Sequence, residues 1–271
     1  MIKQAIIPLA GLGTRLLPLT SVFAKELLPI NGKPGLEYII EECIEAGIKE
    51  IVFIISKKKL MIKKYFYNDK FYKDIIKKKN DPKIIKEYKK ILKYKKMIKF
   101  VFQDKPLGTG DAVYKTKKFI TDKYFLMLLP DDLIIKKNCS KSMITVHNKF
   151  KASVMASMKV NKNDVSRWGI YNIRKKIDKN NFIINNVVEK PSIKTSPSNN
   201  AVIGRYILPK TIFSKLKSLK PGKSGEFHIT DAIQALIEDD NQFIGHNFSG
   251  KYLDCGTMKG YIKSTLEISK Q

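Results

Sequence analysis

Cysteine is scarce in this chain of 271 residues. Cys43, Cys139 and Cys255 stand far apart, with neither the even count of a disulfide framework nor the spacing of a zinc site. Histidine is equally rare, and His147, His228 and His246 have no spacing that suggests a triad or a metal centre, so satisfied core or surface positions are expected for them. No apolar run approaches the roughly 20 residues of a membrane helix. The strand-like opening segment is ended by Pro8 too early for a secretory signal. A reduced, cytoplasmic protein with no membrane association is the expectation. Arginine is the most informative shortage. Only Arg15, Arg167, Arg174 and Arg205 occur among 52 basic residues, so the net charge of +27 rests on 48 lysines. Nucleic-acid surfaces favour the planar fork of arginine. An excess of Lys, Ile and Asn fits an AT-biased coding background better, and nucleic acid is not the expected partner.

What remains is an ordinary globular composition, 43% hydrophobic and 28% charged. Residues 57–99 hold 18 lysines against Asp69, Asp74, Asp81 and Glu87, yet they keep helical form. Asp81 is placed to cap a helix with Pro82 at its first position, and Ile84, Ile85, Tyr88, Ile91 and Leu92 make one apolar stripe. The lysines are therefore expected on the wet face of packed helices. Elsewhere, Ile2–Pro8, Ile51–Ile55, Ile98–Phe102, Tyr124–Leu129 and Ser153–Lys159 read as strands. Pro34 opens a helix with Leu36, Ile39, Ile40, Cys43 and Ile44 inward and Gly47 at its end. A further helix is expected from Gly110 to about Phe119. This alternation predicts an α/β fold around a mainly parallel sheet. Turn-rich stretches around 161–164, 178–181 and 194–200 predict hairpins and an inserted lobe rather than a separate domain.

The segment Leu9-Ala10-Gly11-Leu12-Gly13-Thr14-Arg15 follows the first strand. Its glycines let backbone N–H groups approach a phosphate or base edge, and Arg15 adds a fixed positive charge. By itself a plain turn is about as good a reading. A dinucleotide fingerprint needs a third glycine where Leu16 stands, and Gly222-Lys223-Ser224 lacks the leading P-loop glycine, which is Lys217. Neither chemistry is supported.

The loop continues into Lys25-Glu26-Leu27-Leu28-Pro29, and with it the segment resembles the signature of sugar-1-phosphate nucleotidylyltransferases, G-x-G-T-R followed by K-E-x-L-P. The resemblance runs on in order through Gln103 with Leu107-Gly108-Thr109-Gly110-Asp111-Ala112, Leu129-Pro130-Asp131-Asp132, Trp168-Gly169-Ile170, Val188-Glu189-Lys190-Pro191 and Tyr252-Leu253-Asp254-Cys255-Gly256. Within the superfamily, Gly204-Arg205-Tyr206 and Gly225-Glu226-Phe227-His228-Ile229-Thr230-Asp231 bring it nearest to the branch that joins UTP to glucose 1-phosphate. Ser21 and Ala24 depart from the Lys and Pro usual there, and Trp168 replaces Tyr or Phe.

The resemblance implies one Rossmann-like domain over 1–271, with a nucleotide-binding half at about 1–135. The remainder, about 136–271, would carry a smaller sugar-binding lobe of strands and C-terminal helices. It implies UTP and glucose 1-phosphate as substrates, Mg²⁺ as cofactor and a homodimer or homotetramer. Nucleotide contacts would come from Ala10, Gly11, Gly13, Thr14, Gln103 and Gly108, with the Gln103 amide donating and accepting at the uracil edge. Gly169, Glu189 and Lys190 would take the sugar phosphate. Strand alternation sets Glu189 and Lys190 on opposite faces, so a bend at Pro191 is expected. Arg15, Lys25 and Lys190 would neutralise the reacting phosphates. Asp131 and Asp254 would share the metal, with Asp132 the alternative to Asp131. Glucose 1-phosphate brings its own anionic oxygens, so attack on the α-phosphorus needs no side-chain nucleophile. Two other readings stay open: a sister enzyme with another nucleotide or sugar, and a lysine-rich nucleic-acid-binding protein on an inactive scaffold.

Overall fold

The structure is a computed structural model that describes residues 1–222 and 225–270. Lys223 and Ser224, within the stretch compared with a P-loop, lie outside the described residues.

The chain begins with strand β1 (Gln4–Pro8), a long loop, a short hairpin of β2 (Pro29–Ile30) and β3 (Lys33–Pro34), and helix α1 (Gly35–Glu45). Then come β4 (Glu50–Ile55), α2 (Leu60–Tyr67), α3 (Asp69–Lys79), α4 (Pro82–Met97), β5 (Ile98–Phe102), α5 (Gly108–Lys115) and β6 (Tyr124–Leu128). The second half holds β7 (Asp132–Ile135), α6 (Cys139–Phe150), β8 (Ser153–Lys159), β9 (Gly169–Lys176), β10 (Asn181–Glu189) and β11 (Asn200–Pro209). It ends with α7 (Ile212–Ser218), α8 (Ile229–Glu238), β12 (Phe243–Asn247), β13 (Lys251–Asp254) and α9 (Met258–Ile268).

Nine strands form one sheet in the order β5-β4-β1-β6-β11-β8-β12-β10-β9. β5, β4, β1 and β6 run parallel, as do β8 and β12, whereas β11 is antiparallel to both its neighbours and β9–β10 is a hairpin. The parallel character thus belongs mainly to the first half. The turn at 178–181 closes that hairpin as expected, and its strands extend the main sheet. Alternation along each strand builds two apolar layers. Ala5, Ile7, Phe53, Leu126 and Leu128 meet α1, α4 and α6, while Ile6, Val52, Ile54, Phe125 and Met127 meet α5, α7 and α8.

Sequence expectations hold closely in the first half. α1 buries Leu36, Ile39, Ile40 and Cys43, with Ile44 partly buried. It ends in a Schellman motif: Ile48 N donates to the Cys43 carbonyl, Gly47 N to that of Ile44, and Gly47 takes φ 88°. Asp81 caps α4 through Lys83 N, next to Pro82. The helix expected over 110–119 instead spans Gly108–Lys115, because the loop at Gly108 is fixed by distant backbone. Lys59 departs from the wet-face expectation: it is buried in an ion pair with Glu26 at 2.8 Å. All three cysteines are buried free thiols. Among the described residues, no helix is long and apolar enough to cross a membrane.

Candidate active site

The chain lays down β1, β4 and β5 to one side, then returns to place β6 on the other side of β1. Open α/β sheets bind ligands at such a switch, beyond the carboxyl ends of the strands. A cleft of about 520 Å³ lies there. It is lined by Ala10, Gly11, Gly13, Thr14 and Lys25 from the loop after β1, Gln103 and Gly108 beyond β5, and Asp131 beyond β6.

The loop after β1 is held by its own backbone. Gly13 takes φ 70° and its carbonyl accepts from Leu16 N at 2.9 Å and Thr20 Oγ1 at 2.8 Å. Ser21 is exposed, and Ala24 uses an N–H that proline lacks to reach Met61 Sδ at 3.1 Å. Lys25 and Glu26 then part company: Glu26 pairs with Lys59, whereas Lys25 Nζ crosses to Asp131 Oδ2 at 2.7 Å. Arg15 approaches the same oxygen at 3.4 Å. Burial opposes charge on Lys25, but Asp131 and Glu26 hold its pKa above the ordinary lysine value. Burial likewise opposes charge on Asp131, and Lys25 with Arg15 holds its carboxyl below the usual range.

Asp254 reaches this point from the far end of the chain. β13 pairs antiparallel with β7, setting Asp254 opposite Asp132, and Cys255 N donates to the Asp131 carbonyl at 2.8 Å. A Cβ placed on Gly256 would lie 2.9 Å from Asp131 Oδ2, 3.2 Å from Asp254 Oδ1 and 2.8 Å from an Arg15 nitrogen. Both carboxylates and the guanidinium therefore border one small space that only glycine leaves open. Asp254 Oδ1 accepts from Gly256 N at 2.8 Å, and the hard oxygens of the two carboxylates suit a divalent cation such as Mg²⁺. Among the described residues, no group of three or more His, Cys, Asp or Glu is arranged to hold a metal.

Asp132 is occupied otherwise. Its Oδ1 accepts from Tyr252 OH at 2.6 Å and its Oδ2 from Gly204 N at 2.8 Å. Burial and the adjacent Asp131 charge push its carboxyl above the usual range. The geometry separates the doubled acid into Asp131, facing the cleft, and Asp132, facing the interior.

Gln103 is 5% exposed, and its Nε2 donates to the Gly108 carbonyl at 3.0 Å and to Asp111 Oδ2 at 2.8 Å. The amide expected to donate and accept at a base thus has both protons engaged by the protein. Gly108, at φ 90°, packs where a Cβ would come within 2.6 Å of the Phe227 carbonyl.

A second hollow of about 660 Å³ adjoins the first, sharing Thr109, Leu129 and His228 with it. Glu189 lines it. Gly169 faces Glu189 across the β9–β10 hairpin, and a Cβ there would stand 3.1 Å from Glu189 Oε2. Lys190 lines neither hollow. It takes φ 46°, so the chain bends at Lys190 itself, one residue before the expected Pro191, and brings Nζ to 3.8 Å from Glu189 Oε1.

Sequence reading missed three participants. Arg205, fully buried, pairs with Glu42 at 2.8 Å and donates to the carbonyls of Leu129, Asp132 and Gly204, clamping the turn that carries Asp131. His228 borders both hollows, unlike His147 and His246, whose rings bond to the Ala152 carbonyl and to Asn181. Asp111 is the third. Only the Gly204-Arg205-Tyr206, His228 and Asp111 motifs carried any signal of them.

A sequence model of the family described as Nucleotidyl transferase matches residues 4–271. The chain belongs to that family. It is 37% identical over 269 residues to UTP–glucose-1-phosphate uridylyltransferase 2 of Staphylococcus saprophyticus, covering 99% of this chain and 92% of the relative. Its match to the UTP–glucose-1-phosphate uridylyltransferase of Bacillus subtilis is 35% identical, over 100% and 92% of the two chains. A UDP-glucose pyrophosphorylase solved with UDP-glucose superposes with a TM-score of 0.87 at 34% identity, over 100% of this chain and 99% of that one. The UTP-bound enzyme of Acinetobacter baumannii gives 0.89 at 31%, over 99% and 93%. The fold is the mixed α/β fold of these enzymes, and the chain is a nucleotidyltransferase.

Proposed function

We propose that the chain transfers the uridylyl group of UTP to α-D-glucose 1-phosphate, releasing pyrophosphate and forming UDP-glucose reversibly. The observation that carries this reading is the meeting of Lys25, Arg15, Asp131 and Asp254 around the space beside Gly256. Full-length relatives bearing that activity in their names support it.

In this reading the cleft of the first half, about residues 1–135, takes UTP, with Gln103 at the base and the loop of Ala10, Gly11, Gly13 and Thr14 along the nucleotide. The part from about 136 to 271 receives the sugar, Glu189 accepting from vicinal hydroxyls and Gly169 allowing close approach. Lys190, outside both hollows, would swing away from Glu189 Oε1 to reach the sugar phosphate. The two hollows share a wall, so the phosphate oxygen of the sugar can meet the α-phosphorus in line. That oxygen forms the new P–O bond as the bond to pyrophosphate breaks, with no covalent enzyme intermediate. Arg15 and Lys25 neutralise the charge that grows on the departing pyrophosphate. Asp131 and Asp254 would hold Mg²⁺, which supplies further charge neutralisation at the phosphates. A cytoplasmic homodimer or homotetramer completes the reading.

The test is pyrophosphate release across a panel of nucleoside triphosphates and sugar 1-phosphates. UTP with glucose 1-phosphate should give the highest kcat/KM. A preference for dTTP or for another sugar phosphate overturns the assignment, and no activity with any pair returns the chain to a binding role.

A further inference from the structure

The amide of Gln103 is held in one orientation. Its two Nε2 protons go to the Gly108 carbonyl at 3.0 Å and to Asp111 Oδ2 at 2.8 Å, and both of those oxygens only accept. Turning the amide over would set Oε1 against two oxygens, one of them a carboxylate's. The surroundings do not give way. Gly108 is wedged against the Phe227 backbone, Gly110 N donates to the Phe227 carbonyl at 2.7 Å, and Phe227 N donates back to Leu107. Asp111 sits in the first turn of α5, its other oxygen 3.5 Å from Lys115 Nζ. Oε1 is then the side-chain atom of Gln103 left for a ligand in the cleft, and it accepts.

We propose that Asp111 is a positioning residue that sets base choice: by fixing Gln103 with Oε1 toward the ligand, it admits bases with a ring N–H donor and rejects cytosine. Uracil and thymine present N3–H to that acceptor, while N3 of cytosine is a lone pair facing a lone pair. The inference rests on the reading above that the base lies against Gln103. It also assigns the choice between UTP and dTTP to other contacts, because both carry the same N3–H.

The test compares kcat/KM for UTP, CTP and N3-methyl-UTP in wild type, Gln103→Ala, Asp111→Asn and Asp111→Ala. Wild type should prefer UTP to both others. The Asn variant offers an amide proton to Oε1 and so permits the turned amide. Its UTP-over-CTP ratio should fall about tenfold or more, chiefly through a lower KM for CTP. N3-methyl-UTP should gain nothing, since a methyl group fits neither orientation. A purely structural role for Asp111 predicts equal losses with UTP and CTP and an unchanged ratio, which overturns the proposal. If Gln103→Ala abolishes the preference while both Asp111 variants keep it, the base is correctly located and Asp111 is not its determinant. A preference that survives Gln103→Ala sinks the location of the base, and the proposal with it. Should Asp111→Asn fail to fold, judged by circular dichroism, Asp111→Ala reads the same ratio and is expected to lower it by freeing the amide.

Discussion

Lys25 Nζ lies 2.7 Å from Asp131 Oδ2, so the loop after β1 and the turn after β6 meet through one largely buried ion pair. In the proposed reaction this cation would neutralise charge on the leaving pyrophosphate, beside the carboxylate assigned to the metal. In a chain of 48 lysines, this contact is what distinguishes Lys25 from the solvated majority.

Lys25→Met is expected to lower turnover about 100- to 1,000-fold, the usual loss when one preorganised charge partner of a transition state is removed. Steady-state kinetics beside a thermal melt checks it. Near-normal kcat in a folded variant refutes the role.

Gly256→Ala puts a methyl group into the space bordered by Asp131, Asp254 and Arg15. Mg²⁺ affinity, read by calorimetry with UTP present, should weaken about ten- to a hundredfold, and activity should fall with it. An unchanged Mg²⁺ requirement would place the metal elsewhere.

Arg205→Met strands the Glu42 carboxylate and frees the carbonyls of Leu129, Asp132 and Gly204. Breaking a buried pair from one side costs about 3–5 kcal/mol. Urea denaturation should show that loss. Activity should drop too, since the turn holding Asp131 loses its clamp, and a variant as stable as wild type contradicts the account.

Glu189→Gln keeps the size of the side chain but weakens acceptance from sugar hydroxyls. The KM for glucose 1-phosphate should rise about ten- to a hundredfold, with the KM for UTP nearly unmoved. An equal rise in both removes Glu189 from the sugar site.

Asp178 accepts from the backbone N–H of Asn180 and Asn181 and from the Asn181 side chain, each at 2.9 Å, closing the β9–β10 turn. The Asn181 side chain first, then these N–H groups, hold its carboxyl below the usual aspartate value. Its contribution to stability is therefore present above the unfolded pKa of about 3.9 and fades as pH falls through the folded value. The Tm gap between wild type and Asp178→Ala should be modest at neutral pH and close below about pH 4. A gap that persists in acid means the turn is held by something else.

Much of this was legible in the residues. The four first-half strands of the main sheet declare themselves by apolar runs, and their observed bounds differ from the expected ones by at most two residues, whereas the short β2, β3 and β7 were not anticipated. Gly47, Asp81 and Pro82 mark helix ends through local rules that need no tertiary partner. The glycine loop after β1, Asp131 and Asp254, which the fold brings together beside Gly256, also stand out, because their motifs are short and contiguous. Arg205 does not. It sits in an apolar strand, and its partner Glu42 is 163 residues away, so the pair exists only once α1 packs on the sheet. Lys59 was hidden by its neighbours, looking like two other lysines beside it until Glu26 claimed it. The start of α5 was misjudged for a similar reason: glycine at 108 and 110 argues against helix locally, and backbone contact with Phe227 overrules it.

The pairing of β7 with β13 also orders events during synthesis. Asp131 leaves the ribosome long before Asp254, and until Lys251–Asp254 emerges β7 has no strand to pair with. A chain that ends ahead of β13 carries Asp131 without Asp254, one of the two carboxylates proposed for the metal. In the proposed reaction, Mg²⁺-dependent turnover therefore waits on the last segment of the chain, although the residues assigned to the base and the loop after β1 are laid down well before it.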